Sequence, residues 1–122
     1  MSYDIFFWRE VPGANLDPER VFHELEDGLG LAGVIPIPLK TVMATFQQHF
    51  PGIQECEGVL DWTDRGSFQV SFTWLDEQTI TLGTIYCGPD LNLETNPATV
   101  QGVAQVVIAL GCRAYDPNLV SR

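Results

Sequence analysis

The chain has 122 residues, 45% of them hydrophobic and 18% charged, the size and composition of one folded domain spanning 1–122. Sixteen acidic residues against six basic ones give a formal charge of −10. That balance lacks the cationic footprint that nucleic acid requires and opposes adsorption to anionic membranes, so neither is expected as a partner.

Tyr3 to Arg9 is aromatic and β-branched and reads as a strand. Alternation puts Tyr3, Ile5 and Phe7 on one face and Asp4, Phe6 and Trp8 on the other. Asp17-Pro18 then opens a helix running to about Leu29, with the aspartate as cap and proline where its missing N–H costs nothing. Val21, Leu25 and Leu29 form its apolar stripe. Gly28 to Gly33 matches G-x-G-x-x-G, but the dinucleotide mechanism needs those glycines between a strand and a helix. Here they leave a helix and run into Pro36 and Pro38, so they read as a helix exit and no cofactor is expected.

Pro38 to Phe50 reads as a second helix with Leu39, Val42, Met43, Phe46 and Phe50 on its apolar side; Pro51-Gly52 stops it. Val59 to Thr63 and Ser67 to Leu75 flank Asp64-Arg65-Gly66, a hairpin signal. A second turn at Asp76-Glu77-Gln78 leads into Thr79 to Tyr86. Phe68, Val70, Phe72 and Trp74 share one face with Gln69, Ser71 and Thr73 opposite; Ile80 and Leu82 are expected together on the apolar side. Asn96-Pro97 starts a last helix, Pro97 to Leu110, without a single charge. A helix apolar nearly all round is packed on two sides or covers an interface between copies. Arg113 to Asp116 reads as a closing strand.

The order β-α-α-β-β-β-α-β predicts an α+β fold. One antiparallel-dominated sheet of about five strands carries helices mainly on one face, a ferredoxin-like variant with the terminal strands central. Phe6 and Trp8 fall on the second face. Either the Pro38–Phe50 helix covers them or they are exposed as a contact surface.

Little chemistry is on offer. Cys56, Cys87 and Cys112 have no C-x-x-C spacing, and His23 and His49 lie on separate helices, so no metal site and no nucleophile–base pair is expected. Three unpaired thiols suit a reducing compartment, and an N-terminus with an acid at Asp4 and no basic region does not read as a signal peptide; a cytoplasmic location follows. An enzyme is therefore not expected. The charge distribution is more informative. From Thr41 to Cys112 eight acids face one base, Arg65, and the acids fall in the turns of the strand-rich middle. Asp61, Asp64, Asp76, Glu77 and Asp90, with Trp62 as an aromatic anchor, are the candidate contacts for a cationic protein.

Met1-Ser2-Tyr3-Asp4-Ile5-Phe6-Phe7 and Ala109-Leu110-Gly111-Cys112-Arg113-Ala114-Tyr115-Asp116-Pro117 together resemble small bacterial immunity proteins of polymorphic toxin systems. The resemblance implies a cytosolic protein that binds and neutralises a cognate toxin domain; it implies no catalytic residue. Two other readings stand beside it. One is a small enzymatic or ligand-binding domain with a pocket beside Gly28–Gly33 or under the Pro38–Phe50 helix. The other is a homodimer or larger oligomer through Pro97–Leu110.

Overall fold

The computed structural model describes residues 3–27 and 31–116; Gly28, Leu29 and Gly30, and everything beyond Asp116, lie outside the described residues. The fold is α+β, an open antiparallel sheet of eight strands with three helices. In chain order these are β1 (Tyr3–Glu10), α1 (Pro18–Glu26), β2 (Val34–Ile35), β3 (Ile37–Pro38), α2 (Leu39–His49), β4 (Gln54–Cys56), β5 (Val59–Trp62), β6 (Phe68–Trp74), β7 (Thr79–Cys87), α3 (Pro97–Ala109) and β8 (Cys112–Tyr115).

The sheet is built on a meander, β4-β5-β6-β7, against which β1 pairs through Tyr3↔Cys87 to Phe7↔Gly83. Beyond Phe7 the two strands part. The segment 34–38 fills the gap: Arg9↔Ile35 and Glu10↔Val34 pair it to β1, and Ile37↔Ile80 pairs it to β7. Proline at 36 and 38 suits a segment that switches partners and makes only two rungs with each. β8 pairs with the other side of β1, from Phe6↔Tyr115 to Arg9↔Cys112.

Eight strands stand where about five are expected, because β2, β3 and β4 are two or three residues long and too short to show a period. Nor are both terminal strands central. β1 is internal, but β8 pairs only with β1 and forms the edge of the sheet.

Alternation in β1 holds and feeds two separate cores. Phe7 joins a large cluster with Phe46, Phe50, Phe68, Val70, Ile85, Val103 and Leu110, which α2 and α3 cover. Phe6 and Trp8 point the other way and are buried against Val21 and Leu25 of α1, with Leu82 and Tyr115. The second face is thus covered over β1 and β8, by α1 and not by the Pro38–Phe50 helix, and helices lie on both faces of the sheet. The first cluster is tight enough that Gly83 is obligatory: a Cβ there would come within 2.1 Å of Phe7 Cζ.

Ile80 and Leu82 do not share a face. The register steps from Thr73↔Leu82 to Trp74↔Ile80, a β-bulge that leaves one extra residue on β7. Ile80 consequently joins the large core and Leu82 the small one. Trp74 keeps the parity of Phe72 but runs past the helices and is 44% exposed.

The helix caps also differ from expectation. Asp17 and Asn96 occupy the N-cap positions ahead of their prolines, yet neither side chain caps its helix. Asn96 instead donates through Nδ2 to the Asp90 carbonyl at 2.8 Å. At the other end of α3 the Arg9 guanidinium donates to the Leu110 carbonyl at 2.9 and 2.7 Å, a cation on the last turn where the helix dipole favours one. Arg113 donates to Glu10 at 3.0 Å and to the Leu16 carbonyl at 2.7 Å. These two arginines tie β1 to α3, β8 and the loop after β1.

Candidate functional site

On the face that carries α1, that helix shields β8, β1 and the part of β7 around Leu82. The surface from Tyr86 of β7 across β6 and β5 to β4 stays open. Its side chains follow from register, since residues opposite each other across an antiparallel pair share a face. Asp4 faces Tyr86, Tyr86 faces Gln69, Gln69 faces Asp61, and Asp61 faces Gln54. One polar row therefore crosses five strands, with its two carboxylates three strand spacings apart, about 14 Å. The adjoining row is Phe6, Thr84 and Ser71, and Ser71 Oγ donates to the Tyr86 hydroxyl at 3.4 Å. Tyr86, 45% exposed, is the aromatic centre of this surface.

A depression of about 270 Å³ lies in the same face, lined by Asp61, Ser67, Phe68, Gln69, Tyr86, Cys87 and Gly88. Its floor is the first rung of the β6–β7 ladder, Phe68↔Cys87, extended by the Gly88 N–H to Ser67 carbonyl bond of 2.9 Å. Asp61 is half-buried.

The six residues expected to contact a partner do not form one surface. Asp61 lies on the open face. Trp62, next to it in β5, points through the sheet into the large core and stacks edge-on against Phe50 at 5.1 Å. Asp64 sits in the β5–β6 hairpin, where Arg65 and Gly66 take left-handed φ of 52° and 93°. Asp90 is in the loop before α3, its carbonyl accepting from Asn96 Nδ2 at 2.8 Å, and α3 is tied to the hairpin by Thr99 Oγ1 donating to the Arg65 carbonyl. Asp76 and Glu77 form the opposite hairpin, at the far end of the seven-residue β6, about 20 Å away. Asp76 is occupied there: its Oδ1 accepts the N–H groups of Gln78 and Thr79 at 2.8 and 2.9 Å. Sequence reasoning missed Asp4, Gln69 and Tyr86. The signal for Tyr86 was its place between inward-facing Ile85 and Cys87.

Elsewhere the surface offers less chemistry. An apolar groove of about 350 Å³ runs between α3 and the edge of the sheet, lined by Ile5, Val100, Val103, Ala104, Ile108 and Cys112 among others. Here α3 is packed on one side only, and Ile108 is 74% exposed. The hollow near the glycine-rich segment is lined by Leu16, Asp17, Arg20, Val21, Leu31 and Ala32. The one near the start of α2 is lined by Pro38, Leu39, Lys40, Glu77 and Gln78. Neither brings a nucleophile to a base. His49 Nδ1 sits 3.0 Å from the Thr45 carbonyl of its own helix, and His23 is exposed beside Glu19 at 4.0 Å. Among the described residues no three His, Cys, Asp or Glu side chains group as a metal site, and no helix is long and apolar enough to cross a membrane.

Compared with family models, curated proteins and solved structures, the chain matches none.

Proposed function

We propose that this chain is an immunity-type protein that binds a cationic bacterial toxin domain on the open half of its sheet and neutralises it by one-to-one blockade, not by catalysis. The observation that carries this reading is the cross-strand row Asp4–Tyr86–Gln69–Asp61. A preformed β-surface with a central tyrosine, polar neighbours and carboxylates at its margins has the composition of a protein-binding hot spot. Sixteen acidic against six basic residues, a formal charge of −10, give the molecule a negative field that a cationic partner would meet. Asp64 and Asp90, at the neighbouring hairpin end, extend that field. A reducing cytosol, where the three cysteines stay free thiols, is the compartment in which it would act.

Co-purification with the product of the reading frame immediately upstream tests the proposal. The expected result is a one-to-one complex whose association slows several-fold between low and physiological salt. Asp61→Asn and Tyr86→Ala each weaken it by roughly tenfold or more, the scale of a hot-spot truncation. A complex indifferent to both substitutions, or no complex, overturns it.

A second reading, self-association through α3, is favoured by the apolar groove and the exposed Ile108. Sedimentation at micromolar concentration decides it: a strict monomer excludes this reading and leaves the first untouched.

A further inference from the structure

We infer that the depression between Asp61 and Tyr86 is a subsite for one arginine side chain of the partner protein; this rests on the reading of the open face as the docking surface. Four observations converge on a guanidinium. Asp61 is a partly buried residue in the wall of the hollow with no hydrogen-bond or ion-pair partner among the described residues, while acids elsewhere in the fold, such as Glu10 and Asp76, are engaged. A carboxylate left unpartnered in the wall of a hollow offers a charge-assisted hydrogen bond to a cationic donor arriving from outside.

Tyr86 lies two strands away from Asp61 on the same face, about 10 Å across the sheet, and offers a half-exposed ring for a planar cation to stack on. Gln69 stands between them on β6, with a side-chain carbonyl able to accept a further N–H. The wall of the hollow at Ser67 and Gly88 is held close by the glycine: a Cβ at 88 would lie 2.4 Å from Ser67 Oγ and 2.9 Å from the Ser67 carbonyl. A fork of donors with a flat face uses the carboxylate, the amide and the ring together. A lysine ammonium satisfies the carboxylate but has no plane to lay against the tyrosine.

The test is an amide-resolved NMR titration of the intact protein with N-acetyl-arginine methylamide, beside the lysine and citrulline analogues. The expected result is saturable shifts confined to the amides around Asp61, Gln69, Tyr86 and Gly88 with the arginine probe. The lysine probe binds at least about threefold more weakly, and citrulline, which lacks the charge, gives no saturable shift. Asp61→Asn abolishes the arginine shifts while the rest of its spectrum reports an intact fold. Equal shifts from arginine and lysine, shifts that survive in Asp61→Asn, or no localised shifts at all overturn the subsite. If the subsite fails in this way while the co-purified complex still depends on Tyr86, the docking face stands and only its arginine specificity falls. Loss of both readouts removes the functional reading itself.

Discussion

The two faces of the sheet are made by the same strands yet end in different conditions. On one face seventeen buried residues form a single core beneath α2 and α3. On the other, six buried residues gather under α1, and the polar row from Gln54 to Tyr86 lies beyond them. Dimensions account for the difference. A helix with its side chains is about 10 Å across and shields about two strands spaced about 4.8 Å apart. Six strand positions need two or three helices side by side, and only the first face has two. The open half is what a single nine-residue helix leaves uncovered. The sequence meets that geometry by placing Gln69, Ser71, Asp61 and Tyr86 outward, where a buried face would carry Val or Ile.

The sharpest way to break this comparison is to cut neighbouring residues on opposite faces of β6. Phe68 is 2% exposed and packs against Phe50 and Phe46 at ring distances of 5.0 and 6.4 Å. Phe68→Ala should cost about 3–5 kcal/mol in urea unfolding, the usual penalty for emptying an aromatic site in a packed core. Gln69→Ala, one residue on, should stay within about 0.5 kcal/mol of the parent. Similar losses at both positions would mean that the second face is covered after all. Next in size is Gly83→Ala. The new Cβ has no room beside the fully buried Phe7 ring, and a loss of about 1–3 kcal/mol or more is expected. Phe7→Leu in the same chain should recover part of it, because the clash is with that ring.

A smaller effect reports on the groove beside α3. Burial pushes the Cys112 thiol up to about 11, against a weaker opposing pull from Arg9, while Cys56 is exposed in β4. At about pH 8 a thiolate-selective reagent should modify Cys56 well ahead of Cys112. Because folding favours the protonated thiol, the stability tied to Cys112 should decline as pH rises from 9.0, its ordinary value, toward about 11. Rapid labelling of Cys112 in the native state would show that the groove is open to solvent well below α3.

Much of this architecture was legible in the residues, and the gaps have physical causes. Alternation separated Phe6 and Trp8 from Phe7, since a β-strand's period of two has no slack. Asp64-Arg65-Gly66 announced a hairpin because aspartate favours turns and left-handed backbone, which Gly66 adopts, selects glycine. The bulge at Thr73/Trp74 was invisible. It is a register event between two strands, and nothing in either strand alone marks the extra residue that parts Ile80 from Leu82. β2 and β3 were lost because each takes its identity from the strand it pairs with. The site was read by charge, and charge is a poor guide to facing. Asp61 was found, but its neighbour Trp62 lies on the core side, and Gln69 and Tyr86, marked only by alternation with inward-facing neighbours and not by charge, became one surface when register set them side by side.

Asp76 supplies the finest distinction, between an acid that serves the fold and one that is displayed. Its carboxyl is held below the ordinary value of 3.8, first by the hydrogen bond from the Gln78 N–H and then by its contacts with Thr79. A carboxylate whose folded pKa is depressed stabilises the fold above its unfolded pKa, and that contribution is lost as pH falls through the folded value. Asp76→Asn keeps one acceptor oxygen but never carries the charge. The variant should therefore have a lower urea midpoint than the parent at about pH 6. The gap should close as pH drops below 3.8, where the parent's carboxyl also becomes neutral. Asp61→Asn, which removes a carboxylate with no hydrogen bond inside the fold, should leave the stability at about pH 6 within about 0.5 kcal/mol of the parent. A loss there as large as that of Asp76→Asn would mean that Asp61 is engaged within the fold and is no longer the acid presented to a partner.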